Sequence, residues 1–123
     1  MILQDGDWVT AAGLSQLTGL EPAALAAGLR AWLHDGRLIS VSDRHQAYFP
    51  VFAFGDATPW QPTAEFGAVV KVLSPQKDAW GLAFWFASSN HWLGGQRTKD
   101  LLRSSPARVR NAAQEEVTGP LHG

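Results

Sequence analysis

Residues 80–102, WGLAFWFASSNHWLGGQRTKDLL, hold Trp80, Trp85 and Trp92 with Phe84 and Phe86 between them. Aromatic side chains bury the largest areas available to a protein and dominate both cores and interfaces. Any fold for this chain must therefore place that stretch at the centre of a core or at the centre of a binding surface. The apolar run stops at Ser88-Ser89-Asn90, and Gly94-Gly95 permits backbone angles that other residues avoid. The spacing predicts an aromatic helix, a turn, an exposed Trp92-Leu93-Gly94-Gly95 corner, and a second amphipathic helix.

A chain of 123 residues forms one domain, or two very small ones sharing a core. Hydrophobic residues at 46% and charged residues at 17% are ordinary for a folded protein. The net charge of −1 argues against a general polyanion binder while leaving room for a local basic patch. Cysteine is absent, which excludes disulfides, thiol catalysis and cysteine-ligated zinc. The beginning, MILQDGDWVT, carries acidic residues where a signal peptide carries basic ones, and no apolar run approaches the ~20 residues that span a bilayer. A cytoplasmic protein with no membrane partner is expected. Charge is uneven: six acidic side chains face three arginines in residues 1–60, against five acidic and seven basic in residues 61–123.

In chain order, Trp8 reads as a core anchor. Thr10 can cap a helix carrying Leu14 and Leu17, which Thr18-Gly19 stops. Glu21-Pro22 restarts one, with proline where its missing N–H is harmless. Leu25, Leu29, Trp32 and Leu33 form its apolar stripe, and Gly36 closes it in a left-handed conformation. Leu38-Ile39-Ser40-Val41 reads as a strand, residues 42–46 as a hairpin loop and Ala47-Tyr48-Phe49 as the partner strand. Helix, short turn, helix, hairpin is the order of a winged helix-turn-helix; a plain α+β packing unit is the alternative. After a proline-bounded loop, Thr63 caps a helix carrying Phe66, Val69, Val70 and Leu73, ended by Ser74-Pro75. Asp78 starts the aromatic helix, which is apolar almost all round and is expected to be buried. Thr98 opens a short helix with Leu101 and Leu102. Ser105-Pro106 caps the last helix, with Val109, Ala112 and Ala113 inward and Arg108 and Arg110 outward.

The expected class is thus mainly α (α+β): a winged helix-turn-helix-like unit over residues 1–54, a small helical bundle over residues 55–117 and a flexible tail over residues 118–123.

Catalytic chemistry has little to stand on. The histidines His34, His45, His91 and His122 are scattered, so no metal site is expected. Glu115 and Glu116 are adjacent on a helix and point apart. No nucleophile elbow surrounds the serine pairs, and Gly94-Gly95 lacks the spacing of a phosphate cradle. Neither an enzyme nor a cofactor site is expected.

Two surfaces remain. The helix-turn-helix could contact a nucleic-acid backbone through Arg30, Arg37, Arg44 and His45, although Ala23, Ala24 and Ala27 leave its second helix with little to read bases. The corner at residues 92–95 has Arg97, Lys99 and Arg103 nearby in sequence, and tryptophan beside arginine is the composition of an interface hot spot. The alternative is that Trp92 folds back onto the core.

Phe49-Pro50 leading to Phe52-Ala53-Phe54, a proline-bearing loop, Trp80 with Phe84-Trp85, Asn90-His91-Trp92-Leu93-Gly94-Gly95 and Asp100-Leu101-Leu102, in that order, resemble the C-terminal toxin-binding domain of Xre/MbcA/ParS-type antitoxins. The likeness covers a little over half the chain, and its most specific part is the Trp-Leu-Gly-Gly corner followed by Asp-Leu-Leu. Thr98-Lys99 stands where that family usually opens the next helix with proline. The resemblance implies a bacterial type II antitoxin, not an enzyme. Its partner would be a RES-domain toxin that degrades NAD or transfers ADP-ribose, neutralised by covering the toxin's NAD cleft. It places toxin contact at Trp92, Leu93, Gly94, Gly95 and Asp100, to which Arg97 and Arg103 are added on charge. It also implies a homodimer, or a larger hetero-oligomer with the toxin, and operator DNA as a further partner if the operon is autoregulated. The competing expectation is a stand-alone winged-helix transcription regulator.

Overall fold

A computed structural model describes Leu3, residues 6–56 and residues 58–119. Helices predominate, with a small antiparallel sheet, so the class is α+β. The N-terminal elements are β1 (Trp8–Val9), α1 (Ala11–Thr18), α2 (Pro22–His34), β2 (Val41–Asp43) and β3 (Gln46–Pro50). The sheet runs in the order β1-β3-β2, with Trp8 opposite Pro50 and Val41 opposite Tyr48. A 3-10 turn at Val51–Ala53 leads through a loop to α3 (Ala64–Leu73) and α4 (Ala79–Ala87). Next come β4 (Ser89–Asn90), a 3-10 turn at His91–Leu93, β5 (Gln96–Arg97), α5 (Thr98–Leu101) and α6 (Pro106–Thr118).

The helix starts follow local chemistry. The Thr10 hydroxyl accepts from Gly13 N–H, the Thr63 hydroxyl from Phe66 N–H and the Asp78 carboxylate from Gly81 N–H at 2.8 Å, each satisfying a donor that the first turn leaves free. Pro22 occupies the first turn of α2, and Gly36, at φ 74°, follows its last turn. Ser105 departs from expectation. Its side chain makes no cap bond, and only its backbone carbonyl receives Val109 N–H, at 3.1 Å.

One hydrophobic cluster draws on both ends of the chain. Phe52 joins them: its ring lies 5.8 Å from Trp8, 6.0 Å from Phe66 and 5.2 Å from Phe86. Phe66 and Phe86 stack at 5.2 Å with planes 22° apart. Helices α3 and α6 pack most extensively, with Val109, Ala112 and Ala113 inward and Arg108 and Arg110 exposed.

Several expectations are corrected. The strand read over residues 38–41 begins only at Val41; Leu38 and Ile39 are buried without strand pairing. The loop read over residues 42–46 shrinks to the two residues Arg44 and His45, both with positive φ (52° and 65°). Strands of opposite direction joined by two residues need this turn geometry to match their twist. Leu17 and Leu33 are exposed, whereas Leu14, Leu25 and Leu29 are buried in the core and the half-buried Trp32 packs against it. The aromatic helix α4 is not buried all round, because Phe84 is 57% exposed. Of the expected tail, Thr118 ends α6 and residues 120–123 lie outside the described residues.

Candidate functional site

The corner is a closed β-hairpin rather than a plain helix-to-helix turn. Ser89 pairs with Arg97 and Asn90 with Gln96, which brings both ends of the loop together. Inside it, the Asn90 side chain accepts from Trp92 N–H at 2.9 Å, Gly95 N–H donates to Asn90 C=O at 2.9 Å, and Gly94 N–H donates to His91 C=O at 3.3 Å. Gly94 and Gly95 have φ 68° and 83°. That region strains any residue with a Cβ, so the consecutive glycines are what allow the chain to double back.

This backbone turns Trp92 and Leu93 in opposite directions. Leu93 is fully buried and belongs to the core. Trp92 is 44% exposed. One face of its indole lies against His91, with ring centroids 4.4 Å apart, and its Cζ2 sits 3.6 Å from where a Cβ on Gly119 would be. The ring therefore leans on the end of α6 while the rest meets solvent.

Of the residues grouped with the corner, Gly94, Gly95, Arg97 and Asp100 are exposed on the hairpin and α5. Leu93 supports it from beneath. Lys99 turns away and pairs with Asp7 near the start of the chain. Arg103 faces elsewhere too: its Nη1 donates to Asp56 at 2.9 Å and its Nη2 to Phe54 C=O at 3.0 Å.

Sequence reading missed Phe84. With His91, Asn90 and Ser88 it lines a groove of about 420 Å³ between α4 and α6. At the base of that groove Glu116 accepts from Trp85 Nε1 at 3.3 Å and pairs with Lys77 at 3.3 Å. The available signal was the apolar surface all round α4, since a surface helix normally keeps a polar face. Phe84 and His91, both exposed, thus line this groove, and Trp92 packs against His91.

Arg30 is exposed on α2, and Arg44 and His45 are exposed at the hairpin tip. Arg37 is half-buried and donates to Pro62 C=O at 3.4 Å. Among the described residues no group of three or more His, Asp or Glu could hold a metal ion, and no helix is long and apolar enough to cross a membrane. Comparison with protein-family models, with curated proteins and with solved structures finds no match for this chain.

Proposed function

We propose that this chain is a cytoplasmic, non-catalytic antitoxin that binds a protein toxin through the hairpin corner at residues 90–97 and covers the toxin's active site. The observation that carries the reading is the half-exposed Trp92 indole, packed against His91 on a turn closed by backbone hydrogen bonds. A partly exposed tryptophan has only two side-chain torsions to fix on binding, and tryptophan is over-represented among residues that dominate interface energies. The order of motifs resembling Xre/MbcA/ParS-type antitoxins supports the class of partner: a RES-type enzyme that degrades NAD or transfers ADP-ribose. Arg97 and Asp100, exposed on β5 and α5, supply the polar rim. Leu93 contributes by holding the turn in place.

The test is co-expression with the toxin encoded by the adjacent gene, reading growth rescue and copurification. Trp92→Ala and Gly94→Asp are the informative variants. Aspartate adds bulk and charge at the contact but is strained at φ 68°, so Trp92→Ala, which leaves the turn's backbone untouched, is the decisive variant of the two. Loss of rescue with retained helicity is expected for both, and full neutralisation by both refutes the site.

A second reading has one observation in its favour. The order β1-α1-α2-β2-β3, with β3 central in the sheet, suits a winged helix-turn-helix, and Arg44 and His45 are exposed at the tip of its hairpin. On this reading the chain binds operator DNA as a regulator. A mobility shift on its own promoter that weakens steeply with salt, and disappears when Arg30 and Arg44 are neutralised, would select it.

A further inference from the structure

Arg37 and Arg103 are 66 positions apart in sequence (103 − 37), one following α2 and the other following α5, yet they line the same groove of about 470 Å³. Each is anchored at one end of a single backbone pairing. Arg37 Nη2 donates to Pro62 C=O at 3.4 Å and Arg103 Nη2 to Phe54 C=O at 3.0 Å, while Phe54 and Pro62 are antiparallel bridge partners. Pro62 has no N–H, so the pairing is of the non-hydrogen-bonded kind, with Cα atoms about 4.5 Å apart and both carbonyls directed outward; the two guanidinium groups therefore grip opposite edges of one narrow strip of chain.

A guanidinium carries five N–H donors. Among the described residues Arg37 uses one and Arg103 two, the second going to Asp56 Oδ1 at 2.9 Å. That carboxylate sits where a ligand oxyanion would sit, and the pair is weak because both partners face water, with side chains 55% and 84% exposed. Beneath them Phe52, Leu102 and Pro62 give the groove an apolar floor. Glu65, on the first turn of α3, is the other carboxylate in the lining.

We propose that this groove binds a small phosphomonoester. Its phosphate displaces Asp56 from the Arg103 fork, Arg37 holds the far edge of the head group, and the body of the molecule rests on the apolar floor. A planar fork of donors matches phosphate oxygens two at a time, and the volume falls within the range of small-molecule pockets. Asp56 then acts as an internal competitor that keeps the fork aligned while the groove is empty. This inference is independent of the toxin-binding reading, because it uses none of the residues at the corner.

The test is a titration of the full chain, followed by amide and arginine side-chain NMR shifts, with inorganic phosphate, phenyl phosphate and phenol as probes. Phenyl phosphate is expected to shift the Arg103 and Gly55 signals saturably, inorganic phosphate to do so more weakly, and phenol not at all. Asp56→Asn removes the competitor and should tighten binding several-fold. Arg103→Gln should weaken it about tenfold or more, the loss of one charge-assisted contact. Arg103→Lys, which keeps the charge but not the fork, should also weaken it and serves if the glutamine variant fails to fold. Failure of both phosphates to saturate, or an Asp56→Asn variant that binds no tighter than the native chain, overturns the proposal. Equal affinity for the two phosphates overturns its small-molecule part, since the floor would then contribute nothing.

Discussion

Phe52 meets Phe86 with ring centroids 5.2 Å apart, although the two come from opposite sides of the proline-bounded loop. Phe52 belongs to the 3-10 turn that leaves the N-terminal sheet, and Phe86 to the last turn of α4. On its other side Phe52 touches Trp8 edge-on at 5.8 Å. A single ring therefore couples the sheet to the helices.

Replacing that ring removes contacts on both sides at once. Phe52→Ala should lower stability by about 3–5 kcal/mol. Urea unfolding followed by tryptophan fluorescence and by circular dichroism should give one coincident transition, shifted to lower denaturant. Two separated transitions in the native chain would show that the halves fold independently of this contact.

Trp92 and Leu93 are neighbours with opposite burial, 44% and 0% exposed, so their alanine variants should separate binding from folding. Leu93→Ala opens a cavity in the core and should destabilise the chain by about 2–5 kcal/mol. Trp92→Ala should cost far less in thermal stability while, on the proposed antitoxin reading, abolishing toxin neutralisation. Equal destabilisation by the two would place the indole in the structural framework rather than at the interface.

Thr98 is fully buried, and its hydroxyl is the one buried side-chain polar atom without a hydrogen-bond partner among the described residues. An unsatisfied buried hydroxyl is a standing penalty. Thr98→Val keeps the shape and removes the polar atom, so it should raise stability by about 1 kcal/mol. A fall in melting temperature would mean that the hydroxyl is satisfied in solution.

The Lys99 ammonium pairs with Asp7, and the Lys99 side chain is only 9% exposed. Removing the partner strands a buried charge, whereas removing the charge itself does not. Asp7→Ala should therefore destabilise more than Lys99→Met, with a gap of about 1–3 kcal/mol in denaturant unfolding. The reverse order would show that the aliphatic stem of Lys99 matters more than its charge.

Arg44 and His45 both hold left-handed angles in the two-residue turn between β2 and β3. Glycine adopts such angles without steric penalty, so His45→Gly should stabilise the chain by about 0.5–1 kcal/mol, seen as a higher urea midpoint. If the regulator reading is correct, the same variant should also weaken the promoter shift.

Local capping signals agree with the structure except at Ser105, whose side chain makes no cap bond. The Thr10, Thr63 and Asp78 caps, the Pro22 start and the left-handed Gly36, Gly94 and Gly95 depend on a residue and its neighbours three or four positions away. The two-residue strands β1, β4 and β5 escaped notice because alternation cannot be detected over so short a run. Leu17, Leu33 and Phe84 were placed inside because an apolar periodicity reports which face could be buried, not how much cover the rest of the chain supplies.

By itself, then, the sequence determined where helices begin and turn back, which faces could be buried, and that aromatic mass and two glycines meet at one corner. These follow from backbone conformational preference and from the cost of unsatisfied N–H groups, both short-range. Only the tertiary structure decided that Leu93 faces in while Trp92 faces out, that Lys99 leaves the corner for Asp7, and that Arg37 and Arg103 share a groove. Each of those outcomes depends on segments distant in sequence meeting in space, and no local pattern encodes which segments will meet.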